Sequence, residues 1–399
     1  MLKEHLLKAV ETKLRRENLP VAVRLWTGET IAGTQSPSIE LTLKSPSAMN
    51  LFLHPNLSNL AESYVRQEID VRGDIRHIIR LLLKIFQGNG IAPNWSERLN
   101  LFRHTRASDS KAVRYHYDVS NDFYKLWLDK RRVYSCAYFK TLDDSLDLAQ
   151  EQKLDHLCKK LNLQPGERLL DIGCGWGALI FWAAERYGAR CVGVTLSEQQ
   201  YAYVQEQIAA HGLKDRLEVR LQDYRDVPED EQFDKVVSVG MFEHVGVHRL
   251  PAYFSKIFRL LKPGGVVMNH GITAASFEGD RGSSGRDFIE KYVFPDGELT
   301  HISRVIDIMA RQGLEVLDTE SLRRHYAQTL WRWVTGLEAH QDAARRIVGE
   351  DKYRIWRAYL GGFAYAFEAN WDNIYQILAA RPLPDGSIDY PLTREHVYR

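Results

Sequence analysis

Residues 168–177 read RLLDIGCGWG, an apolar run that ends in Asp171 and is followed by glycines at 173, 175 and 177. The helical stretch ALIFWAAERYG comes next. A buried strand, a tight glycine turn and a helix form the arrangement with which an open parallel α/β sheet binds a nucleotide-like ligand. The glycines let the backbone approach closely, and the site lies off the carboxyl end of the strand. Two further groups could move protons beside such a site. Glu243 leaves the apolar run FDKVVSVG at 233–240, and His270 lies in VVMNHGI at 266–272. Taken singly, the glutamate could cap a helix and the histidine could be a satisfied core residue. As strand-end groups they converge: these two strands are expected to flank the first one, with both side chains facing the ligand's reactive end.

The spacing separates one kind of ligand from another. Dinucleotide folds use G-x-G-x-x-G with an acid much later. Here the order is D-x-G-x-G-x-G, with the acid first, which resembles the S-adenosylmethionine (SAM) loop of Rossmann-like methyltransferases. That likeness implies an α/β fold of class I, a mostly parallel seven-stranded sheet. CVGVTLSEQQ is then the second strand and a helix start. Where such enzymes commonly place an acid for the ribose, Thr195 stands, with Gln200 one turn later. LEVRLQDY ends in Gln222 and Asp223, where an adenine amino group would be held, although Asp223 also reads as a turn residue or helix cap.

Residues 113–139, VRYHYDVSNDFYKLWLDKRRVYSCAYF, concentrate Tyr and Phe among charges and turns. A buried helix explains part of this, and an aromatic cap over a cationic ligand explains it better. HYDVSNDFY and YSCAYF, continuing through DIGCGWG, GVTLSEQQ, QDY, SVGMFEHVG, KPGG, NHGI, IEKYVFPDGEL and HYAQTLWRW, resemble the cyclopropane-fatty-acyl-phospholipid synthase family, which includes the mycolic acid cyclopropane synthases. The likeness covers essentially residues 113–399. A small domain in front is similar to the bacterial, phospholipid-acting branch.

The resemblance implies methylene transfer from SAM to the cis double bond of an unsaturated phospholipid acyl chain. The alkene attacks the sulfonium methyl, a carbocation forms, a base removes a proton from the new methyl, and the ring closes. Aromatic rings must face the cation and exclude water; Tyr115, Tyr117, Phe139 and Tyr326 are the candidates. In this family the base is a bound bicarbonate, and the matching positions are Cys136, Glu243, His270, Ile272 (through its backbone) and Tyr326. Cys136 is expected to line the anion site and not to act as a nucleophile. Cofactor contacts carry over to Tyr117, Ser135, Asp171, Gly173, Gly175, Thr195, Gln200, Gln222 and Asp223. No metal is implied. Related enzymes that add a methyl or methylene branch to acyl chains, or methylate amines, are alternatives. A lipid-binding module with a degenerate methyltransferase fold is a third, disfavoured by the intact loop and the full base set.

The remaining chain must hold these groups. Residues 2–17 read as an amphipathic helix, and VAVRLW, ETIAG and SIELTLKS as strands of a small sheet. Residues 57–72 read as helix, and Asp74 as the N-cap of the next one, DIRHIIRLLLKIFQG. Its stripe of Ile75, Ile78, Ile79, Leu82, Leu83 and Phe86 lies beside Arg76, Arg80 and Lys84. Packing on the small sheet is the plainer use of that stripe; docking on an anionic membrane is the other. Residues 1–90 therefore read as a small α+β domain, 91–112 as a linker rich in Gly, Pro, Asn and Ser, and 113–399 as the catalytic domain. Residues 276–297 read as a mobile active-site loop. A net charge of +1 excludes a general nucleic-acid binder. Four cysteines without CxxC pairing suggest neither a zinc site nor a disulfide scaffold. The charged first residues lack a secretory pattern, and no run approaches the ~20 apolar residues of a membrane span. A cytoplasmic protein, peripheral on the inner face of the membrane and forming a homodimer as in the resembled branch, is the expectation.

Overall fold

The computed structural model describes residues 2–49, 51, 57–87, 120–277, 288, 291–292 and 298–398. Contacts within the chain divide it into two compact units. One comprises Met1–Ser96, Gly282–Pro295 and Leu337–Tyr365; the other comprises Glu97–Arg281, Asp296–Gly336 and Ala366–Arg399. The expected linker and most of the expected mobile loop lie outside the described residues.

The first unit begins with helix α1 (Leu2–Arg16). Strands β1 (Val21–Arg24), β2 (Thr30–Ala32), β3 (Ile39–Leu43) and β4 (Ile69–Arg72) make a sheet of order β2-β1-β3-β4. Residues 57–72 are not one helix, as the sequence suggested. Helix α2 spans Leu57–Val65, and β4 follows. The reason is pairing: Ile69 and Val71 meet Leu43 and Leu41 across antiparallel β3, and Ile69 and Leu43 become fully buried. Helix α3 (Ile75–Gln87) starts as expected, with Asp74 Oδ1 accepting from the His77 N–H at 2.9 Å. Its stripe is used internally. Ile75 and Ile78 are buried, and any side chain at Gly361 would strike Ile79. The side chains of Leu83, Lys84 and Phe86 lie outside the described residues.

The segment Leu337–Tyr365 was expected in the catalytic domain, yet it packs with the first unit. One buried guanidinium shows why. Arg354, in the helix Gln341–Glu368, donates to the Tyr64 carbonyl at 2.9 Å, the Ile69 carbonyl at 3.1 Å, Glu350 at 2.6 Å and Asp70 at 2.5 Å.

The second unit is a seven-stranded sheet of order β10-β11-β9-β8-β5-β6-β7. Its strands are β5 (Arg168–Ile172), β6 (Arg190–Thr195), β7 (Leu217–Leu221), β8 (Phe233–Val239), β9 (Leu261–Ala274), β10 (Glu315–Ser321) and β11 (Asp372–Ala380). All neighbours are parallel except β11, which is antiparallel to both β9 and β10. Helices α4 (Leu146–Lys160), α5 (Ala178–Tyr187) and α6 (Glu198–Ala210) share one apolar layer with the sheet. Helices α7 (Leu250–Leu260) and α8 (Ile302–Arg311) share the other. This is the class I, Rossmann-like sheet that the glycine loop implied. The chain crosses from β7 back to β8 on the far side of β5, so the topological switch falls at the carboxyl end of β5, where such sheets bind ligands. One expectation fails here. β8 flanks β5, but β9 lies one strand further out, because β6 occupies the other side. Helix α9 (Arg323–Ala339) buries Leu330, Trp331, Val334 and Leu337, the face that its spacing indicated. No described helix is long and apolar enough to cross a membrane.

Candidate active site

The glycine turn does what its residues require. Gly173, Gly175 and Gly177 all take positive φ, at 82°, 56° and 83°, where a side chain would be strained. Gly177 is the N-cap of α5, and the Gly173 N–H bonds the Val194 carbonyl at 3.0 Å, tying the turn to β6. A Cβ on Gly175 would meet nothing within 4 Å, so the backbone there is open to a ligand. Ser135, Asp171, Gly173, Gly175, Thr195, Gln200, Gln222 and Asp223 all line one cavity across the carboxyl ends of β5, β6 and β7. The remaining expected cofactor residue, Tyr117, lies outside the described residues, as does Tyr115. An adenosyl sulfonium amino acid fits such a donor set.

Each group has a defined state. Asp171 is buried, and burial lifts its carboxyl to about 7 against the opposing charge of Lys153. Thr195 Oγ1 donates to Gln200 Oε1 at 2.8 Å and accepts from the Ser197 N–H at 3.2 Å. This leaves the Gln200 amide nitrogen as the donor of the pair. Gln222 Nε2 donates to the Asp226 carbonyl at 2.9 Å. Asp223 realises its structural alternative: it caps the turn Tyr224–Asp226 and takes two bonds from the Arg225 guanidinium, at 2.9 and 2.6 Å. It lines the cavity as part of that pair.

The expected proton-transfer group lies in the layers around β9 and does not line the cavity. Glu243 sits in the short turn Phe242–His244 off the end of β8, buried, with Oε1 accepting from the Ile272 N–H at 2.6 Å. The Ile272 N–H, expected to meet the anion, is thus already taken by Glu243. Burial lifts the Glu243 carboxyl to about 7. His270, two residues back along β9, is buried and held well below its ordinary pKa, first by burial and then by the charges of Lys153 and Lys160. Its Nδ1 is 3.3 Å from Gln376 Nε2 on β11. Glu243 Oε2 and His270 Nε2 are both buried with no hydrogen-bond partner among the described residues. Burying an unpaired polar atom is costly, and Asn269 and Thr273 on β9 and Gln376 on β11 carry further buried polar atoms of this kind, so the β9 layer is rich in polar capacity that the described residues do not use.

Cys136 is fully buried, its thiol pushed up by burial and directed to the carbonyls of Ala137 and Leu322 at 3.2 and 3.8 Å. A thiol so held is no nucleophile. Tyr326 packs against Phe367 and Trp333, with centroids 4.7 and 6.0 Å apart, and Trp333 continues to Tyr134 at 5.2 Å. Phe139 does not join this aromatic set. It packs with Ala137, Ala149 and Leu146, under the Arg332 guanidinium at 4.3 Å.

Sequence reasoning missed the polar side of α4. Gln150, Lys153, His156 and Lys160 are all buried there. Lys153 donates to Ser135 Oγ at 3.0 Å, His156 meets Glu320 at 2.7 Å, and Lys160 bridges Glu320 at 2.5 Å and Asp318 at 3.2 Å. The available signal was their helical spacing on the same face as Leu154, Leu157 and Leu161, where solvent-facing polar residues do not belong.

Comparison with known proteins agrees with this geometry. The mycolic acid cyclopropane synthetase family matches residues 104–377, and a domain of unknown function matches residues 11–87. A probable fatty acid methyltransferase of Pseudomonas putida is 45% identical over 97% of this chain and 98% of its own length. Cyclopropane mycolic acid synthase 1 of Mycobacterium tuberculosis is 38% identical over 66% of this chain and 94% of its own. The crystal structure of a mycolic acid cyclopropane synthase with SAH and CTAB superposes with a TM-score of 0.64 at 37% identity, covering 68% of this chain and 98% of that one. The glycine loop, the switch-point cavity and these matches together place the chain in the mycolic acid cyclopropane synthetase family, as a SAM-dependent methyltransferase.

Proposed function

We propose that this enzyme is a cyclopropane-fatty-acyl-phospholipid synthase, acting on cis-unsaturated acyl chains of bilayer phospholipids with bicarbonate as base. When bound, SAM supplies an electrophilic methyl that the alkene attacks, and bicarbonate accepts the proton lost as the ring closes. The observation that carries the reading is the pair of buried orphan atoms, Glu243 Oε2 and His270 Nε2. An amide nitrogen donates only, so the Gln376 contact makes Nδ1 an acceptor and leaves the ring proton on Nε2. His270 thus offers a donor to an oxyanion, and the raised pKa of Glu243, about 7, lets Oε2 share a proton with that anion, which limits the repulsion between two negative groups. The Ile272 N–H contributes by fixing Glu243. Cys136 and Tyr326 close the site, and the rings of Tyr326, Trp333 and Phe367 supply the apolar, aromatic surround that a carbocation needs. Association with the inner face of the membrane, and assembly as a homodimer, belong to this proposal.

The test uses purified protein, SAM and vesicles of cis-monounsaturated phospholipid, with the product acyl chains read by proton NMR. Upfield ring protons, abolished in Glu243→Gln and dependent on added bicarbonate, are expected. Olefinic methylene signals would establish the branching chemistry instead, and no lipid product despite SAM binding would point to an amine acceptor.

A further inference from the structure

The buried wall of the cofactor cavity holds a positive charge with no carboxylate in ion-pair contact among the described residues. Lys153 on α4 is 2% exposed and lines the cavity. Its only hydrogen bond among the described residues is to the neutral Ser135 Oγ, 3.0 Å away, and no carboxylate lies within ion-pair distance. An ammonium has three donors and is expensive to bury without a counter-charge. Asp129 and Asp171 act on it only at longer range, and burial lowers its pKa to about 8. Among the described residues no direct contact balances its charge.

The strand order says what does. The cavity crosses the ends of β5, β6 and β7 in turn, with Thr195 ending β6 and Gln222 just after β7. Lys153, Ser135 and Asp171 share the β5 end with the glycine turn, away from the adenine side. The amino-acid portion of the cofactor, a zwitterion, belongs at this end, and the wall there carries one group of each sign. We propose that Lys153 is a cofactor-binding residue whose ammonium, aimed by Ser135, takes the methionyl carboxylate of SAM. The carboxylate supplies the missing counter-charge, and Lys153 anchors the end of the cofactor opposite the adenine.

Two ligands separate this role from a structural one. S-adenosylhomocysteine carries the carboxylate; 5′-methylthioadenosine keeps the adenosine and sulfur but lacks it. Calorimetric titration of full-length wild-type protein should show a clear preference for the former. Lys153→Met should weaken S-adenosylhomocysteine by roughly tenfold to a hundredfold, the size of a lost charge-assisted bond. Binding of 5′-methylthioadenosine should hold within about twofold. Lys153→Arg, which keeps the charge, should recover part of the preference. The apo Tm of Lys153→Met should not fall, because removing an unpaired buried charge does not weaken the fold. Equal losses for both ligands, or an unchanged S-adenosylhomocysteine affinity, would overturn the proposal. Failure of the wild type to bind S-adenosylhomocysteine would overturn the cofactor site itself, and this proposal with it.

Discussion

Gln376 and His270 are register partners across β9 and β11, and their side chains share a hydrogen bond of 3.3 Å. Because the amide nitrogen donates, the bond selects the tautomer with the ring proton on Nε2. Since burial also keeps the imidazole neutral, the site holds a fixed donor rather than a titrating cation.

Reversing that bond should reverse the chemistry. In Gln376→Glu a carboxylate would accept from Nδ1 and draw the proton away from Nε2. We expect kcat on unsaturated vesicles to fall about a hundredfold or more, as when a catalytic histidine is held in the wrong tautomer. Calorimetry should show S-adenosylhomocysteine affinity unchanged. An equal loss of cofactor affinity would mean that Gln376 acts on the fold and not through His270.

Glu243 makes stability depend on pH with a definite sign. Its folded pKa of about 7 stands above the ordinary 4.5, so the folded protein holds a proton that the unfolded chain gives up. This contribution is complete below about 4.5 and is lost as pH rises through about 7, amounting to about 3 kcal/mol at most. Glu243→Gln keeps a neutral side chain throughout. Its Tm should therefore gain on the wild type as pH is raised from 5 to 8. Asp171 titrates in the same range in both proteins and cancels from the difference. A Tm gap that does not change with pH would contradict the raised pKa.

The cofactor wall was legible because its signals are local. Asp171 and the glycines stand within a few residues of each other, and Thr195, Gln200, Gln222 and Asp223 follow strand ends that alternation reveals. The apolar face of α9 was legible from period alone. What periodicity could not show is pairing at long sequence separation. Ile69–Arg72 became a strand only because β3 lay ready to receive it, and Leu337–Tyr365 joined the first unit through contacts such as Arg354 with Asp70. Lys153 and His156 were hidden for another reason. A polar residue on an apolar helix face reads as noise until its partners, Ser135 and Glu320, are seen.

The pair of Arg225 and Asp223 predicts an effect on binding without one on chemistry. Arg225 fixes both oxygens of Asp223 where the cavity wall leaves β7. Freed by Arg225→Met, Asp223 would lose its orientation. The KM for SAM should rise by roughly tenfold with kcat at saturating SAM unchanged, the pattern of a lost uniform binding interaction. A fall in kcat at fixed KM would place the pair in the reaction step instead.

Arg354 gives the last prediction, and it concerns the first unit alone. Its guanidinium is 8% exposed and bonds two backbone carbonyls and two carboxylates, drawn from α2, β4 and the helix that carries it. Arg354→Met would leave the Tyr64 and Ile69 carbonyls without this donor and Asp70 without its closest cation. The two carboxylates are 33% and 30% exposed, so the loss comes mainly from the two stranded carbonyls, at about 1–3 kcal/mol each, and a marked drop in Tm is expected. Asp70 keeps Lys44 at 2.9 Å, so the double variant Arg354→Met with Asp70→Asn should recover little of that loss. S-adenosylhomocysteine binding, measured well below the transition, should be unaffected, because every residue of its cavity belongs to the second unit. If Tm did not move, the helix Gln341–Glu368 would not be fastened to the first unit by this residue, and the original boundary at 91–112 would regain its force.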